Sequence, residues 1–129
     1  MKTTRRLILE DDLETLSVLL KKLQQLEEET SSVISVATLS EYTHVEEFIN
    51  NKNELGFDIV LLDRDCKAGG SFQVLDIEKY GPEKMISISS MPGYNEDAQE
   101  RGIERIVWKD YQNLEDFSEK VLEHIRQML

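Results

Sequence analysis

At 129 residues, with 40% hydrophobic and 32% charged residues, the chain has the size and composition of one compact domain with a substantial core. Fifteen basic residues against 26 acidic ones give a net charge of −11, which argues against direct binding to nucleic acid or an anionic membrane. No apolar run approaches the roughly 18–20 residues of a membrane span, and no hydrophobic segment follows the basic start MKTTRR as in a signal peptide. The single cysteine, Cys66, cannot form an internal disulfide, so a reducing, cytoplasmic location is expected.

Apolar runs of strand length alternate with segments of helical period along the whole chain. Residues 6–10, RLILE, form a short apolar run that ends in acid. Residues 12–27 then carry Leu13, Leu16, Leu19 or Leu20, Leu23 and Leu26 at three- and four-residue spacings, which predicts an amphipathic helix. Asp12 is placed to cap that helix, and its surplus of leucines could support a homodimer. The β-branched stretch SVISVAT at 32–38 predicts a second strand. Residues 43–51 predict a helix, with Thr43 and Glu46 at capping-box spacing and Val45, Phe48 and Ile49 on one face.

The most apolar strand is GFDIVLL at 56–62, and continuous hydrophobicity places it at the centre of a parallel sheet. After a turn, KAGGS, whose two glycines loosen the backbone, residues 71–80 predict a helix with Phe72, Leu75 and Tyr80 on one stripe. Gly81-Pro82 stops it. MISIS at 85–89 is a fourth strand, followed by the loop MPGY and a short polar helix at 94–101. IERIVW at 103–108 is a fifth strand, which Trp108 and Tyr111 are expected to pack. A last helix at 113–128 turns Leu114, Phe117, Val121, Leu122 and Ile125 inward. His44 and His124 fall on helices at no metal-binding spacing and read as surface residues.

The order is therefore (βα)5, an α/β class in which a five-stranded parallel sheet is covered by helices on both faces. Sites in such sheets lie beyond the carboxyl ends of the strands. Those ends carry Glu10, Asp11 and Asp12 after strand one, Asp63 and Asp65 after strand three, Ser89 and Ser90 after strand four, and Lys109 and Asp110 after strand five. Taken alone, the two aspartates of VLLDRDC read as turn formers. With the acidic triplet, Ser89 and Lys109 in register, they read as a site instead. Converging carboxylates repel one another unless a hard divalent cation such as Mg²⁺ neutralises them. Carboxylate, Mg²⁺, lysine and hydroxyl together suit a phosphoryl group.

Four segments, LILEDD (7–12), DIVLLD (58–63), ISISS (86–90) and VWKD (107–110), stand in the order and near the spacing that characterise response-regulator receiver domains of two-component signalling. The chain resembles that family over essentially its whole length. The resemblance implies a flavodoxin-like doubly wound sheet of order 2-1-3-4-5. It implies Asp63 as the phosphoacceptor and Mg²⁺ held by Asp11 and Asp63, by Glu10 through water, and by the main-chain carbonyl of Asp65. Ser89 and Lys109 would then meet the phosphoryl group. It also implies a histidine kinase or phosphotransfer protein as donor, an output partner still to be identified, and no enzymatic turnover beyond the domain's own phosphorylation and dephosphorylation.

The chain departs from the family's pattern at Asp110, where proline usually follows the lysine, in the DRDCKAGGS loop, which lacks proline, and at Ile106, often Tyr or Phe. Those departures motivate a second expectation, a receiver-like binding module that works without phosphate. A strand ending in D-x-D also resembles haloacid-dehalogenase-type phosphatases, in which Asp63 would be nucleophile and Asp65 acid/base. That motif normally lies near the chain start, however, and the chain leaves no room for a cap domain.

Overall fold

The five apolar runs become five strands of one parallel sheet, in the order β2-β1-β3-β4-β5 expected from the sequence. The computed structural model describes residues 2–50, 56–64 and 69–129. The strands are β1 (Thr3–Leu9), β2 (Val33–Leu39), β3 (Ile59–Leu62), β4 (Met85–Ser87) and β5 (Arg105–Ile106). The helices are α1 (Leu13–Thr30), α2 (Tyr42–His44, continuing as a π-helix over Val45–Asn50), α3 (Ile77–Tyr80), α4 (Pro92–Glu100) and α5 (Leu114–Met128). None of the described helices is long and apolar enough to cross a membrane.

Period-2 alternation divides the core in two. Leu7, Leu9, Val60 and Leu62 point to one face, where they pack with Val45 and Ile49 from the π-helical continuation of α2, Ile77 from α3 and Ala98 from α4. Ile8, Ile59, Leu61 and Ile86 point to the other, against Leu19, Leu23 and Leu26 of α1 and Phe117, Val121 and Ile125 of α5. β3, fully buried between β1 and β4, is the central strand its composition predicted. β2 lies at the edge and is largely exposed, because only β1 covers it.

Several local expectations are corrected. The helix-one stripe runs through half-buried Leu16 and buried Leu19, Leu23 and Leu26, whereas Leu13 and Leu20 are exposed. Helix α2 begins at Tyr42 with Glu41 at its N-cap and no side-chain cap, so Thr43 and Glu46 form no capping box. The π-helical turn after it changes the angular step per residue, burying Val45 and Ile49 but turning Phe48 outward. Residues 71–80 do not make one helix. Phe72–Val74 is a 3₁₀ turn, and Asp76 restarts the chain as α3 by accepting a hydrogen bond from Lys79 N at 3.2 Å. The expected stripe of Phe72, Leu75 and Tyr80 is nonetheless buried. Gly81, at φ 92°, ends α3 in a conformation that side-chain-bearing residues rarely adopt. Strand five shortens to two residues.

The connection from β1 to α1 positions the acidic segment. Asp12 accepts hydrogen bonds from the Thr15 backbone N (2.9 Å) and hydroxyl (2.6 Å), so it caps α1 as expected. Its role is structural, and replacing Asp12 with Ala should cost about 1 kcal/mol in urea unfolding while leaving divalent-cation affinity unchanged. A loss of cation binding in that variant would make Asp12 a ligand instead.

Candidate functional site

Parallel pairing brings the strand tips level. Leu9 of β1 pairs with Leu62 of β3, so Glu10 and Asp63, one residue further on, leave the sheet side by side. Hydrogen bonds outside the regular strands extend this edge: Asp63 N donates to Leu9 O, Ile88 N to Leu62 O, and Lys109 N to Ser89 O, at 3.0–3.1 Å. Alternation also fixes direction. Glu10, Asp63 and Lys109 follow Ile8, Leu61 and Val107, so all three continue the face covered by α1 and α5.

On that face Lys109 is the centre. Its Nζ donates to both oxygens of Glu10 at 2.8 Å and to Asp63 Oδ2 at 2.9 Å. Glu10 is 0% and Lys109 1% exposed, so both charges are dry. Burial, reinforced by Asp63, pushes the Glu10 carboxyl up to about 8, although Lys109 pulls the other way. Burial also works against the Lys109 ammonium. Glu10 and Asp63 outweigh it and hold that group above the ordinary lysine range.

Asp11 completes the acidic group. Carboxylate oxygens of Glu10, Asp11 and Asp63 lie within 4.8 Å of one another. Three carboxylates facing one ammonium leave an excess of negative charge. Hard oxygen donors at that spacing suit a divalent cation, so the residues present fit the Mg²⁺ expected from the sequence. Asp65, whose carbonyl was expected to join them, lies outside the described residues, as does Cys66.

Ser89 is buried at the same edge, but alternation puts it with Ser87 on the α4 side. Its hydroxyl accepts a hydrogen bond from Met91 N at 3.1 Å. Asp110 replaces the usual proline without displacing Lys109. No described peptide bond is cis, and Asp110 Oδ1 accepts from Gln112 N at 2.9 Å in a turn leading to α5. Of the loop glycines, Gly70 stands at φ 80° against the Tyr42 ring, which an added Cβ would strike. Trp108 and Tyr111 do not pack β5. They are 57% and 55% exposed, with Trp108 Nε1 donating to Ser90 O at 3.1 Å and the Tyr111 ring 5.5 Å from Lys109 Nζ. His44 pairs with Glu41 and His124 faces Arg105, both away from the carboxylates.

Two groups escaped the sequence reading. Arg64, next to Asp63, donates to Asp97 at 2.8 Å and lies 4.1 Å from the Tyr94 ring centroid, tying the site to α4. A basic residue directly after a strand-end acid in so acidic a chain was the available signal. Buried Asn95 of α4 accepts from the Ser87 hydroxyl at 2.6 Å and donates to Ser89 O at 3.3 Å. Nothing in a short polar segment marked it.

An acidic tip on a central parallel strand, an acid pair beside it and a lysine reaching both from the edge strand can be compared with solved structures. The phosphorylated cyanobacterial phytochrome response regulator RcpA superposes with a TM-score of 0.73 over 98% of this chain and 93% of its own, at 16% identity. The chain has the receiver fold. The Mn²⁺-bound form of the response regulator Rcp1 gives 0.71, with 95% and 91% coverage at 16% identity. A response-regulator receiver domain from Rhodospirillum rubrum gives 0.68, with 98% and 96% coverage at 15% identity. No protein-family profile and no curated protein matches the sequence.

Within this receiver fold, Lys109 keeps dry Glu10 and partly exposed Asp63 together. Replacing Lys109 with Met should destabilise the metal-free protein by about 3 kcal/mol or more in urea unfolding, because it leaves buried Glu10 uncompensated. Adding Glu10→Gln to that variant should recover part of the loss. Equal stability of Lys109→Met and the unsubstituted protein would show that the buried pair carries no such constraint.

Proposed function

We propose that the chain is a receiver that accepts a phosphoryl group on Asp63 in a Mg²⁺-dependent reaction and thereby switches a protein-binding surface. The observation that carries this reading is Lys109 Nζ held between Glu10 and Asp63, within hydrogen-bonding distance of both. An ammonium fixed against the acceptor carboxylate is ready to stabilise the charge of phosphoryl oxygens as they arrive. Bound at Glu10, Asp11 and Asp63, Mg²⁺ would neutralise charge on the acceptor and on the transferred group.

In this reading an Asp63 oxygen forms a bond to phosphorus as the bond from phosphorus to a donor histidine nitrogen breaks, and that nitrogen keeps the electron pair of the broken bond. The donor is a histidine kinase or a phosphotransfer protein. The domain accepts and releases the group and turns over no other substrate. The Ser89 hydroxyl exchanges its bond from Met91 N for one to the phosphoryl group, and α4 follows. Arg64 couples to the same movement, because a new dianion beside it competes with Asp97 for the guanidinium. The exposed Trp108 and Tyr111 rings stand on the surface that changes.

Incubation with Mg²⁺ and acetyl phosphate should add one phosphate to the intact protein, detected by mass spectrometry. The addition should disappear in Asp63→Asn and with EDTA. An unchanged mass, together with full partner binding by Asp63→Ala, would favour a binding module that works without phosphate.

A further inference from the structure

The opposite edge of the sheet holds a second charged centre that the acceptor site does not use. Arg6 of β1 follows the same parity as Ile8 and so points to the face covered by α1 and α5. It is 2% exposed, yet its Nε and Nη1 have no hydrogen-bond partner among the described residues, and neither has the hydroxyl of buried Thr4 two residues before. Burial lowers the Arg6 pKa, with Asp58 only partly offsetting it, so a charged guanidinium is kept dry at a cost. Asp58 itself is turned to the Arg5 backbone N at 2.7 Å.

Both Arg6 and Thr4 border clefts at this end of the sheet. They line a cavity of about 350 Å³ whose wall also bears Lys2, Lys84 and Arg105, against the carboxylates of Asp58 and Glu83. They also line a second cavity of about 240 Å³ next to Thr30, Ser31 and Ser32 at the end of α1. Counting side chains alone, four cations against two carboxylates make this region basic in a chain of net charge −11. The contacts of Arg105 are neutral, to Gln127 at 3.0 Å and to His124 at 3.2 Å, so its charge is not cancelled.

We infer that the amino-terminal edge of the sheet is a binding site for a small oxyanion, phosphate or the phosphate group of a compact ester, with the Arg6 guanidinium as its main anchor. A guanidinium supplies several charge-assisted hydrogen bonds to such a group, and the Thr4 hydroxyl and the cationic rim add to them. The larger cavity falls within the size range of small-molecule sites, which leaves room for the rest of an ester. This site is independent of Asp63 chemistry, since the two lie at opposite ends of the strands.

Metal-free protein in EDTA, titrated with inorganic phosphate at constant ionic strength, tests it through the Arg6 Nε–H resonance and the thermal midpoint. Expected are a saturable shift of that resonance and a midpoint that rises with phosphate, both kept by Asp63→Asn and lost in Arg6→Met. If Arg6→Met does not fold, Lys84→Gln combined with Arg105→Gln should weaken binding about tenfold or more, because two cations of the rim are removed. Adenosine monophosphate binding more tightly than phosphate at the same resonance would assign an ester, and no gain would assign free phosphate. An Arg6 resonance that does not saturate with either, or an affinity unchanged in the rim variant, overturns the site.

Discussion

Three carboxylates converge at the carboxyl edge of this sheet, and the buried Lys109 ammonium binds two of them, fully buried Glu10 and partly exposed Asp63. Dehydrating an ion costs several kcal/mol, and a buried pair usually stabilises a protein less than apolar side chains of the same volume. The surroundings already supply such volume, with Ile8, Leu61 and Val107 directly beneath the charged layer. A fold built only for stability would continue that layer. Keeping a lysine and two acids there makes sense if the charge has work to do, and the proposed phosphoryl acceptance with a divalent cation would give it that work.

Much of the rest follows from keeping this layer in register. The regular ladder of β5 is only two residues long, so it is the hydrogen bonds from Val107 N to Ser87 O and from Lys109 N to Ser89 O that carry the lysine to the right height. Asp110 ends the extension in a turn held by its own side chain, which explains how the edge survives without proline at that position. On the other face, Asn95 and Arg64 connect the tips of β3 and β4 to α4, so that a change at Asp63 has a direct mechanical route to a helix.

The sheet order followed from the family resemblance, whereas the central place of β3 and the inward residues of α5 could be read from the residues themselves, because long apolar periods survive tertiary packing. Glu10, Asp63, Ser89 and Lys109 could be read because each ends a strand, and parallel pairing turns strand ends into neighbours. What the sequence hid depended on geometry that no period encodes. The π-helical turn after α2 exposed Phe48, the 3₁₀ turn at Phe72 broke a helix in two, and Trp108 and Tyr111 turned outward although apolar and next to a strand. Arg6 stayed hidden for the opposite reason. A charged residue near the chain start reads as solvated, and only the packing of α1 and α5 over β1 shows it to be dry.

The reading of the acidic edge rests on divalent-cation binding by Glu10, Asp11 and Asp63, and a calorimetric Mg²⁺ titration tests it most directly. The account predicts one saturable site per chain, lost in Asp11→Asn, together with a change in the fluorescence of Trp108, the chain's only tryptophan and the neighbour of Lys109. Absence of a saturable isotherm, or an affinity that Asp11→Asn leaves unchanged, would contradict it.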